Sequence, residues 1–314
     1  MQFRRLGRSD IEVSAVCMGC WAIAGGALWG EQDESDALAA IRASLDAGVT
    51  FFDTAAAYGN GLSEQLLAKG LEGRRKDVIV ATKVHTGLTR EGVRSACEQS
   101  LRRLRTDVID LFQVHWPDWD IPMEETLAGM ESLRAEGKVR VIGVSNFGPR
   151  DLGRALECGR VESDQMPYSL LWRALEYELR PVCVEHEVSI LCYSPLMQGM
   201  LTGKFRTPDD VPAGRARSRH FSRRRGQTRH GEDGCEEETF RAVDAIRQVC
   251  ERLGEPMADV ALAWLLAQPR VSAVIAGCRN AEQARANARA ADLRLSDDVL
   301  AELSGITEHL KQRL

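Results

Sequence analysis

Residues 108–145 read VIDLFQVHWPDWDIPMEETLAGMESLRAEGKVRVIGVS. Val108–His115 is a short run rich in β-branched and aromatic residues, and Val139–Ser145 is a second. Between them, Met123–Glu136 places apolar residues at helical spacing, and Gly137 stops the helix behind Glu136. The strand runs are apolar blocks rather than alternating ones, as parallel strands covered on both faces require. Strand, helix and strand make one βαβ unit.

The unit repeats outward in both directions. Further strands are expected at Val13–Met18, Val49–Asp53, Val78–Lys83, Ser163–Met166, Val188–Tyr193 and Ser272–Ala276. Further helices are expected at Asp33–Ala47, Ser63–Leu71, Thr89–Leu104, Pro149–Cys158, Tyr177–His186, Glu236–Leu253 and Met257–Gln268. Ser63 precedes one helix, Thr89 with Glu91 opens another, and Gly48 closes the first. Eight alternations point to an α/β fold of the closed (β/α)8 TIM-barrel type rather than an open sheet. Gln2–Val13, with Gly7-Arg8-Ser9-Asp10 in its middle, reads as an N-terminal β-hairpin plugging one barrel end. One barrel domain is expected over residues 1–314, with a long loop after strand 7 at about 203–235.

Composition agrees. Apolar residues are 44% and charged residues 28% of the chain, close to the globular average, which excludes a disordered or collagen-like class. The 41 basic and 46 acidic residues give a net charge of −5, against a nucleic-acid binder. One strip, Arg215–His230, holds seven arginines and no acid; the remainder carries 34 basic against 46 acidic residues. Nine cysteines, an odd number, fit reduced thiols in the cytoplasm better than a disulfide framework. Cys17 and Cys20 form a lone Cys-x-x-Cys pair, so no metal site is expected. Arg4 and Arg5 precede an uncharged run, Val13–Gly30. Asp10, Glu12 and four glycines in that region argue against a secretory leader or a membrane span.

In a parallel barrel the chemistry sits at the C-terminal strand ends. The residues expected there are Asp53, Lys83, His115, Ser145 with Asn146, Gln165 and Tyr193, and Tyr58 follows Asp53 in the next loop. Each alone has a bland reading: a turn aspartate, a solvated lysine, a core histidine. Their convergence on one rim favours a catalytic group.

Residues 48–59, GVTFFDTAAAYG, with Ser63-Glu64, resemble the first signature of the aldo-keto reductase family. Residues 110–117, DLFQVHWP, and 137–147, GKVRVIGVSNF, resemble its fourth- and fifth-strand motifs. Residues 165–168, 193–196 with 201–204, and 275–280 continue the match, so the resemblance spans nearly the whole chain. It is nearest the bacterial and plant-type branch. It implies a catalytic tetrad of Asp53, Tyr58, Lys83 and His115, and an NADPH-dependent oxidoreductase that reduces an aldehyde or ketone, including one of sugar or polyol type.

That chemistry suits these residue types. Hydride addition to a carbonyl leaves an alkoxide, so a proton donor and positive electrostatics are needed. Tyr58 is the expected donor, Lys83 is expected to pull its pKa down, and Asp53 to hold Lys83. His115 would orient the carbonyl oxygen. The chain has no Gly-x-Gly-x-x-Gly, so a Rossmann turn is not the coenzyme's route. By resemblance, Ser145, Asn146 and Gln165 bind the carboxamide and Tyr193 stacks on the nicotinamide. Ser194, Leu196, Gln198, Leu201, Gly203 and Lys204 line the pyrophosphate. Gly277, Arg279, Gln283 and Asn287 face the adenosine end. Pairing of Arg279 with a 2′-phosphate favours NADPH over NADH. Ala276 and Cys278 depart from the family's usual Pro and small hydroxyl residue, which softens that preference.

Trp21, Trp29, His85 and Trp116, with Trp119, are candidates for the substrate wall; aromatic walls suit a sugar, an aldehyde or a ring ketone equally well. For Trp29 and Trp119 a packing role is an equal alternative. Three readings of the basic strip stay open: closure on coenzyme phosphates, neutralisation by Glu232, Asp233, Glu236, Glu237 and Glu238, or recruitment of an anionic partner. Two alternatives to the reductase also stand. One is a nicotinamide-binding regulatory subunit with slow turnover. The other is a lyase using Lys83 as a Schiff base, against which the Tyr58 spacing argues.

Overall fold

The computed structural model describes residues 1–228, 230–311 and 313. Strands β1 (Phe3–Arg5) and β2 (Glu12–Ser14) form an antiparallel hairpin. Eight parallel strands follow: β3 (Val16–Gly19), β4 (Phe51–Asp53), β5 (Ile79–Val84), β6 (Ile109–Val114), β7 (Val139–Ser145), β8 (Ser163–Pro167), β9 (Ser189–Tyr193) and β10 (Val271–Gly277). They pair in chain order, and β10 pairs with both β9 and β3, so the barrel is closed.

The expected strand Val13–Met18 is split between hairpin and barrel. Ser14 makes the corner. Its Oγ donates to the Val16 carbonyl (2.7 Å) and accepts the N–H groups of Thr50 (3.0 Å) and Phe51 (3.1 Å). Both halves are buried, so apolar character alone does not mark the break.

The hairpin fills the N-terminal end of the barrel. Leu6, Ile11 and Val13 pack with Phe51, Leu111, Val141 and Leu191 in an interior cluster. Each such side chain contributes about 1.5–3 kcal/mol on full burial. Gly7 lets the turn lie flat: its φ is +56°, and a Cβ there would meet the Glu162 carbonyl oxygen at 2.4 Å. Its N–H donates to Ser189 Oγ (2.7 Å). With this end filled, the opposite rim is left for chemistry.

A second, larger cluster joins the outer strand faces to the helices α1 (Glu34–Asp46), α2 (Leu62–Gly70), α3 (Arg90–Leu104), α4 (Met123–Ala135), α5 (Pro149–Cys158), α6 (Leu179–Glu185), α7 (Glu236–Leu253), α8 (Met257–Leu266), α9 (Ala281–Arg289) and α10 (Asp297–Lys311). Thr89 caps α3 by accepting the Gly92 N–H (3.2 Å), as its position implied. Ser63 does not precede its helix. The left-handed Gly61 starts α2, and Ser63 Oγ instead donates to the Cys20 carbonyl (2.6 Å). The last two helices fall outside the expected set. Only Ala284 and Ala288 are buried on α9, too small a stripe to signal a helix.

The long stretch after β9 is pinned in place. His220 and Phe221 are fully buried, and His220 Nε2 lies 2.8 Å from the Leu171 carbonyl. Arg223 pairs with Asp233 (3.1 Å), and Arg225 with Glu236 (2.7 Å) and Asp209 (2.9 Å). Neutralisation therefore accounts for these two arginines. Glu237 and Glu238 pair elsewhere, with Arg241 and Arg313. Arg229 of the strip lies outside the described residues. Among the described residues, no helix is long and apolar enough to cross a membrane.

Asp164 on β8 is fully buried, and among the described residues neither carboxyl oxygen has a hydrogen-bond partner. Burial pushes its pKa well above the usual carboxylate range, and the Phe147 N–H, nearby but outside hydrogen-bond geometry, offsets this only in part. The folded chain then holds a proton that the unfolded chain loses near pH 4, so stability falls as pH rises above that value. Asp164→Asn should flatten this fall and raise stability at pH 8 by about 1–3 kcal/mol. Urea midpoints of both proteins at pH 5 and pH 8 check this.

Candidate active site

Adjacent strands bring the expected acid and lysine together. Asp53 ends β4, Lys83 lies near the end of β5, and both are buried. Lys83 Nζ donates to Asp53 Oδ1 (2.6 Å), to the Thr54 carbonyl (2.9 Å) and to the Tyr58 hydroxyl (3.4 Å). Three donors thus have three acceptors. The other Asp53 oxygen accepts from Gln165 Nε2 (2.9 Å) and Gln113 Nε2 (3.3 Å).

The charge states follow. Burial pulls Lys83 down, but Asp53 and Tyr58 outweigh it, so its pKa is raised and it stays an ammonium. Burial pushes Tyr58 up; Lys83 pulls it down and Asp53 opposes Lys83. The net direction is up. This corrects the expectation of a lowered phenol pKa: Lys83 does pull it down, but burial outweighs that pull and Asp53 offsets part of it. Tyr58 is a protonated phenol in this state.

His115 follows β6 at the same rim. Its ring meets Tyr58 edge-on, centroids 5.8 Å apart, and His85 at 5.2 Å. Burial, then the Lys83 and His85 charges, lower its pKa to about 3. It is a neutral imidazole.

Ser145, Asn146, Gln165 and Tyr193 are also brought together. Ser145 Oγ donates to the Gln165 carbonyl (2.9 Å), and Asn146 Nδ2 donates to the His115 carbonyl (3.0 Å). The Tyr193 hydroxyl donates to Asn146 Oδ1 (2.8 Å). Asn146 has φ 62°, which turns its side chain back across the rim.

The loop after β9 continues in the left-handed region at Ser194, Met197, Gln198, Gly199 and Gly203. Leu201 is buried, and the Leu196 carbonyl accepts two loop N–H groups. Burial, and next the nearby Arg215, lower the Lys204 pKa. Two neighbouring cations there make an anion-seeking corner.

Gly277, Arg279, Gln283 and Asn287 form a second group on the β10–α9 turn. Gln283 Oε1 accepts the Arg279 N–H (3.0 Å), and Asn287 Nδ2 donates to the Gly277 carbonyl (3.3 Å). The Arg279 guanidinium is already engaged with residues 29–32.

Of the wall candidates, Trp21 stacks on Tyr58, with centroids 5.4 Å apart and planes at 14°. Trp29 meets Trp21 edge-on at 5.6 Å. Trp116 is half exposed, while Trp119 is 81% exposed, too open for core packing. Gln113 and Thr54 escaped the sequence reading. Gln113 carried a signal, being two residues before His115 and so on the same strand face, polar within an apolar run.

Comparison with known proteins identifies the family. The model of the aldo/keto reductase family matches residues 15–308. This chain belongs to that family. An NADH-specific methylglyoxal reductase of Escherichia coli is 33% identical over 93% of this chain and 94% of its own. A glycerol dehydrogenase structure from Gluconobacter oxydans superposes with a TM-score of 0.85 at 28% identity, covering 98% of this chain and 95% of that one. An aldo/keto reductase structure from Klebsiella pneumoniae, in complex with NADP and acetate, has a TM-score of 0.78 at 30% identity, covering 97% and 95%. The protein is an NAD(P)H-dependent oxidoreductase.

With its pKa near 3, His115 keeps one charge state above about pH 4. Its imidazole resonances should therefore stay fixed between pH 5 and pH 9 in an NMR titration. Movement across that range would contradict the neutral assignment.

Proposed function

We propose that the protein reduces an aldehyde or ketone to an alcohol with NADPH, and that Tyr58 donates the proton. The carrying observation is the buried Lys83 ammonium held between Asp53 and the Tyr58 hydroxyl. A protonated phenol is ready to give its proton, and the ammonium 3.4 Å away stabilises the phenolate that remains. Neutral His115 is suited to hydrogen-bond the carbonyl oxygen without adding charge.

The residues at the rim fit a nicotinamide dinucleotide. Three buried polar atoms lie around it without a partner among the described residues: His115 Nδ1, Trp29 Nε1 and Gln198 Oε1. When bound, the reduced nicotinamide supplies the hydride. Ser145, Asn146 and Gln165 would hold its carboxamide, and Tyr193, fixed by Asn146, would back the ring. Ser194, Leu196, Gln198, Leu201 and Gly203 would follow the pyrophosphate, with Lys204 and Arg215 supplying charge. Arg279 would take the 2′-phosphate by exchanging carbonyl partners for a stronger, charged acceptor. Trp21, Trp29, His85 and Trp116 would enclose the substrate.

Tyr58→Phe tests this. NADPH oxidation with an aromatic aldehyde, followed at 340 nm, should fall by about 10²–10⁴-fold while NADPH affinity is kept. If wild type binds NADPH yet turns over no carbonyl, the reductase reading is lost. A nicotinamide-binding regulatory subunit then becomes the better account.

A further inference from the structure

Between β3 and α1 the chain makes a small hairpin hinged on glycine. Gly25, Gly26 and Gly30 have φ of 63°, 98° and 76°. The N–H groups of Trp29 (3.2 Å) and Gly30 (2.7 Å) both donate to the Gly26 carbonyl. Glycine at these positions leaves the hairpin with little stiffness of its own. No other residues between 25 and 30 are large except Leu28 and Trp29.

Arg279, on the turn after β10, holds this hairpin from outside. Its Nε donates to Gln32 Oε1 (2.6 Å), one terminal nitrogen to the Trp29 carbonyl (2.8 Å) and the other to the Glu31 carbonyl. Gln32 Nε2 returns a bond to the Arg279 carbonyl (3.0 Å). All three guanidinium nitrogens are thus used on three residues of one loop. Beyond the hairpin, Trp29 abuts Trp21, and Trp21 stacks on Tyr58. An unbroken set of contacts runs from the β10–α9 turn to the phenol.

We infer that Arg279 is a latch: by holding the Gly25–Gln32 hairpin it positions the Trp29–Trp21 wall against Tyr58, and a coenzyme 2′-phosphate that takes Arg279 releases that wall. Arg279 is a positioning residue here, acting on the substrate mouth through the loop. The second half of the inference rests on the proposed coenzyme reading. The two coenzymes then leave different mouths: with NADH the wall stays latched, and with NADPH it loosens and admits bulkier carbonyls.

Hydrogen exchange of the segment 25–32 tests the latch without turnover. In the coenzyme-free protein, Arg279→Gln should speed exchange there at least tenfold, and Gln32→Ala should shift it in the same direction. Unchanged exchange in both variants, with far-UV circular dichroism like wild type, overturns the latch. In wild type, saturating NADP+ should leave the segment faster-exchanging than saturating NAD+, and Arg279→Gln should erase the difference. Equal exchange with both coenzymes in wild type overturns the release. A wild type that shows the exchange pattern but reduces no carbonyl keeps the latch and loses the reductase reading. A wild type that reduces carbonyls with no such pattern does the reverse.

Discussion

The buried ion pair between Lys83 and Asp53 is the constraint on which the site is built. Both side chains are almost wholly removed from water, at 0% and 3% exposure. Desolvation of such charges costs several kcal/mol each unless every donor and acceptor is matched. The matching is what recruits the neighbours. Thr54 and Tyr58 take the remaining Lys83 protons, while Gln165 and Gln113 cross the barrel to the second Asp53 oxygen. Four strands and one loop are thereby tied to one point. Removing the lysine alone would leave a buried carboxylate without its counter-charge, a loss of about 3–5 kcal/mol.

The same pair sets the charges around it. Its near-neutral sum explains why Tyr58 is governed by burial rather than by the ammonium. Burial first, and then the lysine, keep His115 uncharged. The ammonium lowers both pKa values, but burial favours the neutral form of each group: it outweighs Lys83 at the phenol and acts together with it at the imidazole. The rim presents a phenol and an imidazole, both neutral, over a buried charge.

Much of this was legible in residue order, because strand ends and βαβ spacing are local patterns. Pro149–Cys158 and Glu236–Leu253 end where their caps and stripes say. The signals that failed are non-local. Val13–Met18 reads as one strand because burial, not pairing partner, decides its composition. Tyr58 was placed correctly, but the direction of its pKa needed the distance to Asp53 and the depth of burial. The ties that Arg279 makes in the folded chain were not legible, since nothing in the order of residues shows that a loop some 250 positions earlier offers it three oxygens.

Closure of the ring has a consequence for how the chain comes to be folded. Val16 pairs with Val274, the Met1 ammonium reaches Asp292 (2.8 Å), and Arg4 donates to the Val271 carbonyl (2.7 Å). The first strand of the barrel has no second neighbour until the last has been synthesised. A nascent chain emerging from the ribosome would therefore carry a growing sheet with two raw edges, β3 on one side and the newest strand on the other. Such edges template association with other chains. Because the closing contacts span almost the full chain, they carry the largest loop-closure cost in the barrel. Anything fused to the amino terminus stands in the path of that closing seam.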